Sequence, residues 1–287
     1  MIRLITDSGA NLPSELLRQH GILLIPLSYT VDGVEVRYPK DEDFDGPAFY
    51  NAMRLGADVR TSQINRTSFE ELFREILRAG DAPFYISLSS GISGTAAGAR
   101  MVLAELLREE FPAGDGVVFD SLGASLGQGM LVLEAAERLA AGTTLAALTK
   151  ELSTLRAQMS QFFTVDDLRY LRKSGRISGA TAFFGQALQI KPILKGNSSG
   201  QIILDGKARG SHKALDTLAE KYDAYVSDRS RSIGIAHADN TEGLDYLLSK
   251  LREKGFTGDC LSVCYEPVTG SHVGPGTVAL FFYGGGR

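Results

Sequence analysis

The stretch Ile86-Ser87-Leu88-Ser89-Ser90-Gly91-Ile92-Ser93-Gly94-Thr95 gathers four serines, a threonine and two glycines in ten residues. It follows a short apolar run, Pro83-Phe84-Tyr85-Ile86, that reads as a buried strand. It precedes a helical pattern from Ala96 to Glu110, with apolar residues at 99, 102, 103, 106 and 107. A Gly/Ser turn between a strand and a helix presents free N–H groups at the positive end of the helix dipole. Hydroxyls add donors at the same point. That chemistry suits a carboxylate or a phosphate, and in an open α/β sheet such a turn lies at the carboxyl end of a strand, where ligands bind. Ser93 or Thr95 would equally serve to cap the helix, so the stretch alone supports either role. It lacks the G-x-S-x-G spacing of a nucleophile elbow, and no G-K-[ST] follows to make a P-loop.

Three other places carry polar chemistry. Thr61-Ser62-Gln63 is a second hydroxyl cluster, expected as a polar loop before a helix at about Ser68–Ala79 that Thr67 or Ser68 would cap. Arg176 follows a short helix that Asp166 would open, that Arg172 and Lys173 would close, and that Gly175 would stop. Arg176 is therefore expected to project from a turn. His272 stands in Gly270-Ser271-His272-Val273-Gly274-Pro275-Gly276-Thr277, expected as a glycine-rich loop before a last strand, Val278–Tyr283. Cys260 and Cys264 would share one face of a strand, too far apart along it to bond. Their spacing does not suit zinc, so neither metal nor cofactor is expected.

The elements that must position these residues alternate. Strand candidates lie at Ile2–Ile5, Ile22–Leu27 and Gly116–Asp120, and helices near Pro13–His20, Pro47–Leu55 and Thr144–Met159. Asp32-Gly33 between β-prone residues predicts a small hairpin over Tyr29–Val36. Ser121 to Gly129 leads into an apolar helix, and its glycines do not fit a dinucleotide fingerprint. Residues 1–160 thus read as a mostly parallel, three-layer α/β unit, and 161–287 as a second unit of mixed strands and helices. The small apolar run Ala180–Leu188, with Phe183 and Phe184, is expected to line a cavity. Gly284-Gly285-Gly286-Arg287 is expected to fray.

Length and charge bound the function. A chain of 287 residues is long enough for two domains. A net charge of −4 gives no support for nucleic-acid binding. No apolar run reaches membrane-spanning length, and Ile2–Ile5 runs into Thr6-Asp7-Ser8 without a signal-like stretch, so the cytoplasm is the expected location.

Taken in order, these segments resemble the DegV family of bacterial lipid-binding proteins over nearly the whole chain. Thr6-Asp7-Ser8 is similar to its T-D-S, Thr61-Ser62-Gln63 to its T-S-Q, and Ser89-Ser90-Gly91-Ile92-Ser93-Gly94-Thr95 to its S-S-x-x-S-G-T. Val165 to Ile177, Lys191-Pro192, Lys207-Ala208-Arg209-Gly210 and Gly270 to Gly276 continue the match. One departure is Ile64-Asn65, where the family usually has proline after T-S-Q.

The resemblance implies a two-domain α/β protein holding one long-chain fatty acid between its domains. The family's carboxylate-holding residues map onto Thr61, Ser93 and His272, with Ser62, Gly94 and Thr95 beside them. Arg176 and Arg209 match arginines near the head group or on a kinase-facing surface. The implied partner is a separate acyl kinase related to dihydroxyacetone kinases, so the chain would be a carrier without catalytic residues. A carboxylate taken out of water needs donors or charge, which two hydroxyls and an imidazole provide. About 14 buried methylenes would contribute about 11 kcal/mol before the costs of binding. Two enzyme readings compete. A dihydroxyacetone-kinase-like protein would use His272 to capture a small carbonyl compound, but no phosphate-binding lysine loop is present. A serine hydrolase would use Ser93 and His272, but no acidic third member can be assigned.

Overall fold

Apolar alternation and glycine punctuation resolve into twenty-four regular elements among the described residues, which in this computed structural model are 1–38, 44–178 and 189–286. Strand β1 (Ile2–Asp7) ends in a single 3-10 turn (Ser8–Ala10), followed by α1 (Ser14–Gln19) and β2 (Leu23–Ile25). The hairpin β3 (Ser28–Val31) and β4 (Val34–Val36) leads to α2 (Gly46–Arg54), β5 (Val59–Ser62), α3 (Arg66–Arg78) and β6 (Ala82–Ser87). Then come α4 (Thr95–Glu109), β7 (Val117–Asp120), α5 (Leu126–Ala140) and α6 (Leu145–Gln158). The rest comprises β8 (Met159–Thr164), α7 (Arg169–Ser174), β9 (Ile177–Ser178), β10 (Ile190–Gly196), β11 (Ile202–Arg209), α8 (Ser211–Tyr225) and β12 (Ile233–His237). It closes with α9 (Thr241–Glu253), β13 (Cys260–Cys264), α10 (Pro267–Val273) and β14 (Val278–Tyr283).

The described strands form three sheets. The first is wholly parallel, in the order β2-β1-β6-β7. The second is mixed, β13-β12-β14-β8-β10-β11-β9, with antiparallel pairs at its centre. The third, β4-β3-β5, is small and antiparallel. Its hairpin turns at Asp32 and Gly33, with φ of 49° and 82°, as a Asp-Gly turn of the primed type requires. Central strands β8 and β14 are buried on both faces, which explains the unbroken apolar character of β14; β8 buries Ser160, Gln161 and Thr164 among its apolar residues. Strand β2 is shorter than the run Ile22–Leu27 suggested and lies at a sheet edge, with Leu24 exposed.

Helix α5 packs between the parallel and the mixed sheet, touching β1 and β6 on one side and β12, β14 and β8 on the other. Nine of its residues are buried, so it reads as apolar nearly all round. Helices α3 and α4 cover the outer face of the parallel sheet, and α8 and α9 that of the mixed sheet. No helix among the described residues is long and apolar enough to cross a membrane.

Three local expectations change. Thr61 and Ser62 lie in β5, paired with Tyr29 and Ser28, because Val59–Ser62 completes the small sheet. The cap of α3 is Asn65, whose Oδ1 accepts from the Ser68 amide at 2.8 Å, instead of Thr67 or Ser68. The glycine tail is tied down: Gly284, Gly285 and Gly286 donate their amides to Gln158 O, Tyr225 O and Ser160 Oγ. The run Ala180–Leu188 lies outside the described residues, as does Arg287.

Gly129, in the first turn of α5, faces the 3-10 turn so closely that a Cβ there would sit 2.5 Å from the Ala10 carbonyl oxygen. Gly98, on α4, has open space around it. Gly129→Ala is expected to lower stability by about 1–3 kcal/mol through overpacking. Gly98→Ala is expected to raise it by roughly 0.5–1 kcal/mol through helix propensity. Thermal unfolding of the two variants checks both signs.

Candidate functional site

The site is assembled from three strand ends and one helix. At the end of β1, the buried Asp7 carboxylate accepts from the amides of Gly9 (2.9 Å) and Leu88 (2.8 Å), the Tyr85 hydroxyl and the Gln128 side chain. Burial nevertheless holds its pKa above the ordinary carboxylate value. The Leu88 bond fixes the start of the Ser89–Thr95 turn. Ser89 then donates its amide to Gly123 O and its hydroxyl to Gly200 O, and Ser90 donates its amide to Asp120. The turn is thereby locked between the parallel sheet and the β10–β11 turn. Within it the Ser93 and Thr95 hydroxyls share a hydrogen bond at 2.9 Å.

Helix α10 replaces the glycine-rich loop expected over Gly270–Val273. Glu266 accepts from the Val268 and Thr269 amides, and Pro267 stands in the first turn, a start signal that the surrounding glycines masked. Gly274, at φ 80°, ends the helix. Gly270 lets it close on the buried Tyr50 hydroxyl, 2.0 Å from where a Cβ would lie. On this helix His272 turns inward, and its Nε2 shares a hydrogen bond at 2.9 Å with the Thr61 hydroxyl on β5. His272 and Ser93 make no hydrogen bond to each other, so the pair is not arranged as a hydrolase dyad.

Arg176 does not project. Its Nε donates to Ile92 O at 3.3 Å and its Nη1 to Ser174 O, folding the side chain back over the end of α7. The N-cap of α7 is Leu168; Asp167, just before it, accepts from the Arg169 amide, whereas Asp166 pairs with Lys191.

These groups line a cavity of about 470 Å³. It is walled by Leu27, Leu88, Ile92, Phe163, Ile202, Val268 and Phe281, drawn from the mixed sheet, from α10 and from the connections that follow the parallel strands. Thr61, Ser62, Ser93, His272 and Arg176 all reach the wall. Gly94 and Thr95 do not: Thr95 is buried behind Ser93, and Gly94 packs against the Gln63 side chain. Arg209 is exposed near the end of β11 and is not among the described residues of the cavity wall. Ile64 is buried against the α3 core while Asn65 caps the helix, so the residues standing in place of the usual proline each have a structural use.

Gln161, Tyr265, Thr269 and Val273 also line the cavity and were not singled out by sequence. The spacing Thr269, His272, Val273 is the helical signal that marks a shared face. Thr61, Arg176 and His272 also border a second, smaller cavity on their far side.

A family model described as "Uncharacterised protein, DegV family" matches residues 1–284. This chain belongs to the DegV family. A DegV domain-containing protein of Clostridium perfringens is 35% identical over 282 residues, 98% of this chain and 97% of that protein. The fold is similar to that of a DegV family protein from Thermus thermophilus described as binding fatty acid, with a TM-score of 0.87, 31% identity and 99% of each chain covered. It is also similar to Bacillus subtilis DegV, described as a fatty acid binding protein, with a TM-score of 0.83, 29% identity and 98% of each chain covered.

Two titrations on α10 of this DegV protein oppose each other. Burial, aided by the nearby Arg176 charge, pushes the His272 pKa down to about 4. Burial pushes the Glu266 pKa up to about 7. The His272 contribution to stability is present above its unfolded pKa of 6.5 and is lost as pH falls toward 4. The Glu266 contribution is present below 4.5 and is lost as pH rises toward 7, so the two slopes offset between those limits. In delipidated protein, His272→Gln is expected to gain on the order of 3 kcal/mol relative to wild type as pH falls from 6.5 to 4. Urea unfolding across that range checks it; parallel curves for the two proteins would refute it.

Proposed function

We propose that this DegV-family protein binds one long-chain fatty acid, with its carboxylate at Thr61, Ser93 and His272 and its acyl chain along the 470 Å³ cavity. The observation that carries the reading is a cavity with a mostly apolar wall into which the hydrogen-bonded pair Thr61–His272 and the Ser93 hydroxyl also reach. Support comes also from relatives of 29–31% identity that are described as binding fatty acid. The cavity volume lies in the range of small-molecule sites. A buried anion requires donors, and a carboxylate beside His272 would raise the pKa that burial has depressed, drawing a proton onto the ring.

In this reading the segments 1–160 and 161–287 act as two domains that hold the lipid from opposite sides. The chain is a carrier without catalytic chemistry. A separate acyl kinase related to dihydroxyacetone kinases transfers the terminal phosphoryl group of a nucleoside triphosphate to a carboxylate oxygen, leaving an acyl phosphate and the diphosphate. Such a partner places the protein in the cytoplasm. The exposed Arg209 fits the kinase-facing surface better than the head group.

Denaturing extraction of the purified protein followed by mass spectrometry is expected to yield a fatty acid of roughly 14–18 carbons, a length whose buried methylenes offset the costs of binding. No extracted lipid, together with no uptake of added palmitate after delipidation, would sink the reading. Thr61→Val and His272→Ala should each weaken palmitate binding by about 1–3 kcal/mol, and the double variant by less than the sum, because the two side chains are bonded to each other.

A further inference from the structure

The second cavity, of about 370 Å³, lies beyond Thr61, Arg176 and His272, which border both spaces. The three side chains thus stand as a partition between the mostly apolar cavity and a chamber of mixed wall, in which Met53, Ala57 and Val59 face polar groups. Arg60 and Lys173 add two cations to the chamber wall, beside Ser174, Ser271 and Tyr170. Both are already engaged. Asp58 bonds the Lys173 ammonium and, at 2.8 Å, the Arg60 guanidinium. Asp58 is itself set in place, its amide donating to the Asp32 carboxylate at 2.8 Å. The two cations lower its pKa, as a counter-ion relationship requires.

We propose that this chamber is a phosphoryl-binding site, in which Arg60, Lys173 and Arg176 receive the phosphate group of an acyl phosphate, and that Asp58 holds two of these cations until that group arrives. The proposal rests on the fatty-acid reading above and adds to it a site on the far side of the partition. A carboxylate held at Thr61 and His272 that gains a phosphoryl group must extend it away from the acyl chain, and the chamber is the space that borders the same residues. The group brings added negative charge and a tetrahedral set of oxygens. Arginine offers a planar fork to such oxygens and lysine a point charge. The Asp58 carboxylate presents two oxygens to the same cations from beside the wall, so it acts as a weaker competitor. Arg60 and Lys173 are mostly exposed, so their replacement leaves the core intact.

The test uses full-length delipidated protein, with hexadecylphosphonate as the stable mimic of an acyl phosphate and palmitate as reference. Both are measured by displacement of a fluorescent fatty acid, and inorganic phosphate is titrated separately. The ratio of phosphonate to palmitate affinity is expected to fall about tenfold or more in Arg60→Ala/Lys173→Ala and to rise roughly threefold or more in Asp58→Asn. Palmitate affinity itself should move by less than about twofold in either variant, since exposed charges away from the carboxylate contribute little. A ratio unchanged in both variants, with both lipids still bound, would overturn the proposal while leaving the fatty-acid reading standing. Inorganic phosphate that binds and responds to the variants without any phosphonate preference would overturn the assignment to an acyl phosphate. Failure of both lipids to bind would sink the fatty-acid reading and this proposal with it.

Discussion

A buried carboxylate at the end of the first strand sets the geometry on which the site depends. Asp7 is fully buried and gathers donors from the 3-10 turn, from β6 through Tyr85, from the turn after β6 through Leu88, and from α5 through Gln128. An ionised group in such a place is tolerated when every lone pair is met, and removing one donor exposes the full cost of its burial. The four donors therefore have little freedom to move. Because Leu88 opens the hydroxyl turn and Gln128 lies on the helix between the sheets, one side chain fixes both the turn that reaches the cavity wall and the central layer.

The cavity exists because the central layer is incomplete. Helix α5 fills the space between the sheets over part of their length, and the sheets are also joined where the Ser89–Thr95 turn meets the β10–β11 turn. Gly91 and Gly200 meet where a Cβ on either would lie within 2.5 Å of the opposite segment, and the Ser89 hydroxyl reaches Gly200 O across the gap. Small residues at this crossing join the sheets while leaving the interior hollow.

Much of this was legible in the sequence. The parallel sheet, the Asp-Gly hairpin, the Gly175 stop at φ 70° and the hydroxyl turn all follow from local chemistry that the fold respects. Two failures come from glycine read as loop or tail: Gly270 serves close packing against Tyr50, and the tail glycines donate amides to the ends of α6 and α8 and to Ser160 of β8, and neither purpose has a local signature. Thr61 and Ser62 looked like a loop because their strand partner, β3, lies far back in the chain. The pairing of His272 with Thr61 spans 211 positions, so only the fold brings it about.

Helix α10 and its cap also reverse an ordinary order of proton affinity. The carboxylic acid of Glu266 keeps its proton up to about pH 7, while the imidazole of His272 gives its own up above about pH 4. Over the interval between, this wall of the cavity carries neither a negative nor a positive side chain of its own. The electric field at the polar end is then left to Arg176, a permanent cation anchored by two backbone carbonyls from different segments. A fixed positive pole thus stands beside a stretch of wall whose own titratable groups are held neutral by burial.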